Sequence, residues 1–368
     1  MSKYTIEKFQ KDYGDFINPK VTIKIANQEL KDSYTLENVI VEIPSTYEAG
    51  ICKFVISDAF EYSKTYQLEI GNDLKDLMQL GNLVEVLIGY EKGDSKKVFF
   101  GYIDAIYLDY DYEEGVKYSV ECLDAKGIMM NSYRSTVKKN AKKYSDAVAD
   151  VLKKYSKLIK KKQITTTSEI ETIIEQHNES DYQFVVRLAK KLNYCFYIIN
   201  GEAYFQEMGK DTEDFFSFHI NDYVNSFSMF QTLKKQVSSV TVRGNNEQDP
   251  TKPFESTVSA YKSITDNSKV QANKVSIIDS NVTKTIIDNS ISSENEAKQR
   301  AEATLNELSY KNSKGTINTV GIPDFVPNKV VSVEGFGKQY DKKYRIVKVT
   351  HKYKNGQYTT ECELEANK

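Results

Sequence analysis

Residues 21–124 read as strands, in runs where apolar and polar side chains alternate with a period of two. Val21-Thr22-Ile23-Lys24-Ile25 is one such run, and Glu37-Asn38-Val39-Ile40-Val41-Glu42-Ile43 is a second. Gly81-Asn82 turns the chain into Val84-Glu85-Val86-Leu87-Ile88. A polar turn at Lys92-Gly93-Asp94-Ser95 leads into Val98 to Leu108, and Gly115 opens a last run from Val116 to Leu123. Alternation broken by turn residues at short intervals predicts an antiparallel barrel or sandwich.

The period then changes. Val148, Val151, Leu152, Tyr155, Leu158 and Ile159 are spaced for one face of a helix, with Ser145 placed to cap it. Ser180 starts a second helix, and Gln183 stands at the reciprocal position of a capping box. Tyr182, Val185, Leu188, Ala189 and Leu192 give that helix an inward face. Asn193 suits a left-handed C-cap, Tyr194 to Ile199 reads as a buried strand, and Asn200-Gly201 turns into Ala203-Tyr204-Phe205. Strand patterns resume near Phe215, the clearest being Val237 to Gly244. Residues 256–293 are rich in Ser, Asn, Thr and Lys without Gly or Pro, the composition of a loosely packed excursion. Ser293-Glu294-Asn295-Glu296 predicts another capping box and a helix through Ala297, Ala301, Leu305 and Leu308. Strands return after Gly315 and run to Leu364. The fold class is therefore mainly β with α/β insertions. The expected units are a first β-domain over 1–135, an α/β insertion over 136–205, the start of a second β-domain over 206–255, a polar excursion and helix over 256–313, and the rest of the second β-domain over 314–368.

The two β regions resemble each other. Asn82, a strand, Lys96-Lys97, a strand, Gly115 and a strand holding Cys122 recur in order as Asn328, a strand, Lys342-Lys343, a strand, Gly356 and a strand holding Cys362. Two generic meanders with coincidental turns would give this pattern, and so would duplication of one β-domain. Duplication has a geometric use: three such chains present six similar units around one axis, so a threefold object can abut a sixfold one.

Composition narrows the chemistry. A chain of 368 residues needs more than one core, and 40% hydrophobic with 28% charged residues is the balance of a folded soluble protein. Only five of the 50 basic residues are Arg, so base readout in nucleic acid is poorly provisioned. Three His, four Cys and 26 Tyr without Trp make a contact-rich chain with little catalytic equipment. Cys52, Cys122, Cys195 and Cys362 lack metal-ligand spacing and read as reduced, structural thiols. The start Met1-Ser2-Lys3-Tyr4-Thr5 has no signal-peptide core, and no stretch reaches the ~20 apolar residues of a membrane span. His177, Glu179 and Asp181 stand close together, but Ser180 between them is a helix cap, and the carboxylates lie where the helix dipole favours negative charge. Arg187 can reach back to one of them. Ten Lys between Lys138 and Lys162 could face nucleic acid or anionic lipid; without interleaved Arg they read as a solvated face. No catalytic, cofactor or metal residue is assigned. Tyr107, Tyr110 and Tyr112 interrupt polar segments and suit subunit interfaces as well as rims of cores.

Gln176 to Tyr197 resembles the signature of the phage late-control gpD/VgrG group, the baseplate hubs of contractile tails, R-type bacteriocins and type VI spikes. Gln176, Glu179, Ser180, Asp181, Tyr182, Phe184, Arg187 and Leu188 match the family run, with Asn193 where Gly is usual. Val98-Phe99-Phe100-Gly101-Tyr102-Ile103 resembles its Phe-x-Gly-x-Val strand. Val326 to Gly337, with Asn328 in place of Gly and with Gly335 and Phe336, resembles its Pro-Gly turn and Gly-Phe segment. The resemblance implies two tube-like antiparallel β-barrel domains per chain and a homotrimer, pseudo-sixfold, that adapts a sixfold tail tube to a threefold spike. Its partners would be the tail tube protein, the central spike protein and other baseplate proteins, with no sequence-specific nucleic acid and no cofactor. Such a hub would assemble in the bacterial cytoplasm and end in the baseplate of a released phage or bacteriocin. Ending just after the second β-domain, the chain reads as a stand-alone hub with the spike on a separate polypeptide. The competing expectations are a tail-associated peptidoglycan-degrading enzyme and a type VI-like spike component.

Overall fold

The computed structural model describes residues 4–367 apart from 32–33, 58–59, 63–67, 71, 114, 138–140, 171–172, 209–213, 247–248, 250, 267 and 273–281. Lys138, Lys139 and part of the expected polar excursion thus lie outside the described residues. The chain is mostly β, as its period-2 runs predict, and a thirteen-stranded sheet carries both alternating regions. Its strands in chain order are β1 (Pro19–Ile25), β2 (Gln28–Glu29), β3 (Thr35–Pro44), β4 (Ile51–Ser57), β5 (Leu83–Tyr90), β6 (Ser95–Asp111) and β7 (Gly115–Leu123). After a long interval come β8 (Asp214–His219), β9 (Val224–Gln231), β10 (Ser313–Val320), β11 (Val330–Glu334), β12 (Lys343–Lys354) and β13 (Gln357–Ala366). The helices are α1 (Ile6–Asp12), α2 (Ala125–Met130), α3 (Tyr144–Lys153), α4 (Asp181–Leu192) and α5 (Glu294–Tyr310), besides a short turn at Asn72–Lys75.

One five-stranded pattern occurs twice. The first half orders its strands β3-β4-β7-β6-β5, and the second half orders them β9-β10-β13-β12-β11, antiparallel throughout. Two ladder slips recur at the same places, while a third, at Val98 between β5 and β6, has no counterpart between β11 and β12. The first strand of each unit bulges at Glu37 and Asn225, and the fourth-formed strand at Asp104 and Val347. A bulge adds one unpaired residue and bends the strand, so matched bulges mean matched curvature. Gly81 (φ 86°) and Asn328 (φ 63°) enter the third-formed strands through the left-handed region. Their N–H groups donate to Ile103 O and Ile346 O, both at 2.8 Å.

These ladders correct the register read from residue types. Asn328 matches Gly81, not Asn82. Leu364 matches Cys122, and Cys362 matches Val120. The drift arises at the hairpins: Gly115 already pairs with Asp111, whereas Gly356 sits in the turn between Lys354 and Gln357. Lys96-Lys97 lies within β6 rather than in a loop, and is not equivalent to Lys342-Lys343. The halves differ in the strand placed before each unit: β1 runs antiparallel to β5, but β8 runs parallel to β11. They are stitched together where β3 pairs with β12, from Lys348↔Pro44 to Lys354↔Asn38.

Three cores support this frame. The largest lies under the sheet and includes Phe54, Val86, Phe218, Phe325 and Tyr344. A second unites α2, α3 and α4 with the strands Tyr194–Ile199 and Glu202–Glu207, so the α/β insertion draws in residues from Ala125 onward. The third packs α5 on a separate sheet. There Ser239–Arg243, expected in the second β-domain, pairs with Glu255–Val258 and Thr283–Ile287. Its alternate residues Val240 and Val242 are buried with Ala297 and Ala301 of α5, small side chains that let helix and sheet approach closely. The expected excursion thus contributes strands to a packed unit.

Two cap expectations change in detail. Ser145 does not cap α3, whose N-cap is Lys143 with no side-chain bond. Ser145 and Thr167 instead exchange bonds, each backbone N–H donating to the other's hydroxyl at 3.2 and 3.3 Å. Ser293 does cap α5, but Glu296 reaches back to Ser292 N–H rather than to Ser293.

Candidate functional site

The strand Glu175–Ser180 runs directly into α4, and the two carry most of the motif residues. Ser180 Oγ accepts from Gln183 N–H at 3.0 Å, and Gln183 Oε1 accepts from Ser180 N–H at 2.9 Å, a complete capping box. Asn193 closes the helix in the left-handed region at φ 58°. Phe184 and Leu188 are fully buried in the second core, and Tyr182 packs against its edge. Arg187 forks onto Glu179, with Nη2 2.6 Å and Nε 3.1–3.2 Å from the carboxylate, and the same Nη2 also donates to Glu175 O at 2.7 Å. His177 is exposed.

Asp181 is buried, and most of its partners come from other elements. Gln176 Nε2 donates to it at 2.9 Å, Tyr155 OH at 2.7 Å and Lys154 Nζ at 3.2 Å, while Arg134 Nε lies 3.4 Å away. Burial alone would raise this carboxyl. The bonds from Gln176, Tyr155 and Lys154 outweigh it and hold the group below its ordinary value. Lys154, expected on a solvated face, is thereby recruited into the network. The arrangement presents a fixed anion engaged by Gln176, Tyr155 and Lys154.

Ser180→Ala is expected to cost about 1 kcal/mol through loss of the cap, read as a lowered urea midpoint, with assembly retained. Loss of assembly at unchanged stability would show that this segment is an interface.

The remaining motif positions lie elsewhere in the fold. Gly101 is in β6, where a Cβ would come 2.2 Å from Leu123 O, so only glycine fits. Gly335 has φ 93°, and Phe336 packs against Phe227 with ring centroids 4.3 Å apart and planes tilted by 40°. Asn328 belongs to a second buried cluster. Its Oδ1 lies 3.4 Å from Arg345 Nη1, which is also 3.4 Å from Cys195 Sγ. Arg345 Nη2 donates to Glu365, and its guanidinium covers the Tyr310 ring at 5.1 Å. Burial alone would lower the guanidinium's pKa, but the adjacent Glu365 carboxylate holds it above its ordinary value. This cluster joins the insertion through Cys195, α5 through Tyr310, and the second half through β12 and β13. Sequence patterning offered Cys195 and Arg345 no role, because their partners are distant in the chain.

All four cysteines are free and buried, and burial pushes their thiols up. Among the described residues no group of three or more His, Cys, Asp or Glu could hold a metal ion. No helix among them is long and apolar enough to cross a membrane. Tyr107, Tyr110 and Tyr112 are exposed on and beyond the end of β6.

Several solved structures share this fold. A 43 kDa tail protein of prophage MuSo2 from Shewanella oneidensis aligns at a TM-score of 0.70 with 14% identity, over 94% of this chain and 98% of that one. A tail protein from Neisseria meningitidis aligns at 0.68 with 13% identity, over 95% and 96%. A component of the Escherichia coli type VI secretion system, itself described as similar to T4 tail proteins gp27 and gp5, aligns at 0.55 with 11% identity, over 94% and 77%. At these identities the likeness is one of fold. No curated protein matches the sequence. The family model described as the Alg8 N-terminal domain matches residues 17–355, and the chain belongs to that family.

Proposed function

We propose that this chain is a structural hub in the baseplate of a contractile injection particle, a phage tail or a phage-tail-like bacteriocin. The observation that carries the reading is the five-stranded unit built twice with matched bulges, in a fold shared with tail proteins. Two tube-like barrel domains per chain, in a homotrimer, would offer six similar docking faces to a tail tube protein and three to a central spike protein. The work is positional: the hub seats the spike, begins or ends the tube, and leaves a channel along the axis. Other baseplate proteins would contact its outer units, and the site of action is the baseplate after assembly in the bacterial cytoplasm. The late-control gpD/VgrG motif on α4 serves this reading as a folding device, with Gln176, Glu179, Ser180, Asp181 and Arg187 holding the insertion rather than acting on a substrate.

Mass measurement in solution tests the reading. Three copies of the 42.1 kDa chain are expected, with affinity for tube and spike proteins. A stable monomer that binds neither overturns it.

A further inference from the structure

The junction between the two halves is a template for a second junction that one chain cannot make. Within the chain, the first strand of the first unit, β3, pairs with the fourth-formed strand of the second unit, β12. The equivalent strands on the opposite sides are β9 and β6. Among the described residues β9 pairs only with β10, and β6 beyond Ile103 has a strand partner only in β7. Both edges are therefore open where their counterparts are closed.

Their chemistry is that of edges awaiting a partner. Isolated edge strands are normally protected by lysine, proline or a covering element. β9 reads Val-Asn-Ser-Phe-Ser-Met-Phe-Gln, with no charge and no proline. Phe230 on it is 56% exposed. Over residues 105–111 the open part of β6 carries two exposed charges, Asp109 and Asp111, yet exposes Tyr107 by 49%, Leu108 by 57% and Tyr110 by 65%. Exposed aromatic and aliphatic side chains on backbone without a strand partner are costly in isolation and favourable once paired.

We infer that β9 of one copy pairs antiparallel with residues 105–111 of β6 in a second copy of this chain, in the register that β3 and β12 use within the chain. The matched bulges carry the register across: Pro44 corresponds to Thr232, and Lys348 to Ala105. The template pairs Val349↔Ile43, His351↔Val41 and Tyr353↔Val39 then become Ile106↔Gln231, Leu108↔Met229 and Tyr110↔Phe227. Ile106, Met229 and Phe227 already rest against the large core, so this face continues it. The opposite face brings Tyr107 against Phe230. The contact is head-to-tail, each copy offering β9 to one neighbour and β6 to the other, so it propagates until a ring closes. The ring size of three rests on the proposed trimer; the register does not.

The test is a cysteine pair, Tyr107→Cys with Phe230→Cys, in the full chain. Directly opposed positions on antiparallel strands lie about 4.5–5.5 Å apart at Cα, within disulfide reach. Both side chains are exposed and the four native thiols are buried, so folding and background are little affected. Mild oxidation is expected to give covalently linked dimers and trimers on non-reducing gels, abolished by reductant. The out-of-register pair Tyr107→Cys with Ser226→Cys is expected to give none. A three-chain mass in solution without the 107–230 link overturns the register and leaves the trimer standing. The link with a different mass supports the register and overturns the trimer. A single-chain mass with no link overturns both.

Discussion

Arg345→Ala should destabilise the protein by about 3–5 kcal/mol. Arg345 and Glu365 are 4% and 7% exposed, and their side chains bond directly. Removing the guanidinium leaves a carboxylate in the interior, with Lys314 Nζ 3.9 Å away. An uncompensated buried charge is among the few single changes with effects this large. The replacement also strips Asn328 and Cys195 of their shared donor and uncovers the Tyr310 ring. Urea unfolding followed by circular dichroism measures the loss. The paired change Arg345→Met with Glu365→Leu should recover most of it, since apolar residues of similar volume often replace a buried ion pair without cost. If Arg345→Ala cost less than about 1 kcal/mol, the pair would behave as a surface ion pair and the cluster would not be the tie between the three units.

The second large effect depends on pH. His351 is fully buried in β12, with Nδ1 2.8 Å from Tyr358 OH and 3.2 Å from Thr360 Oγ1. Burial lowers its pKa to about 3. In the unfolded chain the same imidazole titrates near ~6.5. Above that value both states are neutral and the folded state keeps its full stability. As pH falls below it, the unfolded chain takes up a proton that the folded chain refuses. Stability then declines by about 1.4 kcal/mol per pH unit until the folded value near 3 is reached. His351→Gln should flatten the slope of stability against pH by one proton between pH 6 and 4. Carboxylate titration enters both slopes and cancels in their difference. Equal slopes for the two proteins would show that His351 charges in the folded state.

Both effects sit at positions the sequence could describe only by neighbourhood. His351 lies in an evident strand, but its partners Tyr358 and Thr360 stand on the other strand of a hairpin, in a register set by the two-residue turn at Asn355-Gly356. Alternation revealed most strands, because one buried face leaves a mark on every second residue. It did not reveal where a ladder slips, since Asp104 and Val347 look like any other strand residue. The capping box at Ser180 was legible because all its atoms lie within four residues. The network on Asp181 was not, because Tyr155, Lys154 and Arg134 reach it from other elements. The separate sheet under α5 is legible only in part. Ser239–Arg243 is an evident strand, but Glu255–Val258 and Thr283–Ile287 are short and polar on one side, so their composition resembles loose chain.

The pairing of β3 with β12 has a consequence for synthesis. The two strands are separated by about 300 residues, so at ~5–20 residues per second β3 leaves the ribosome tens of seconds before its neighbour exists. During that time the nascent first half presents Val39, Val41 and Ile43 along an unfinished edge. Misplaced pairing with another nascent chain is then a kinetic hazard of expression, one that slower growth temperature or a bound chaperone would relieve.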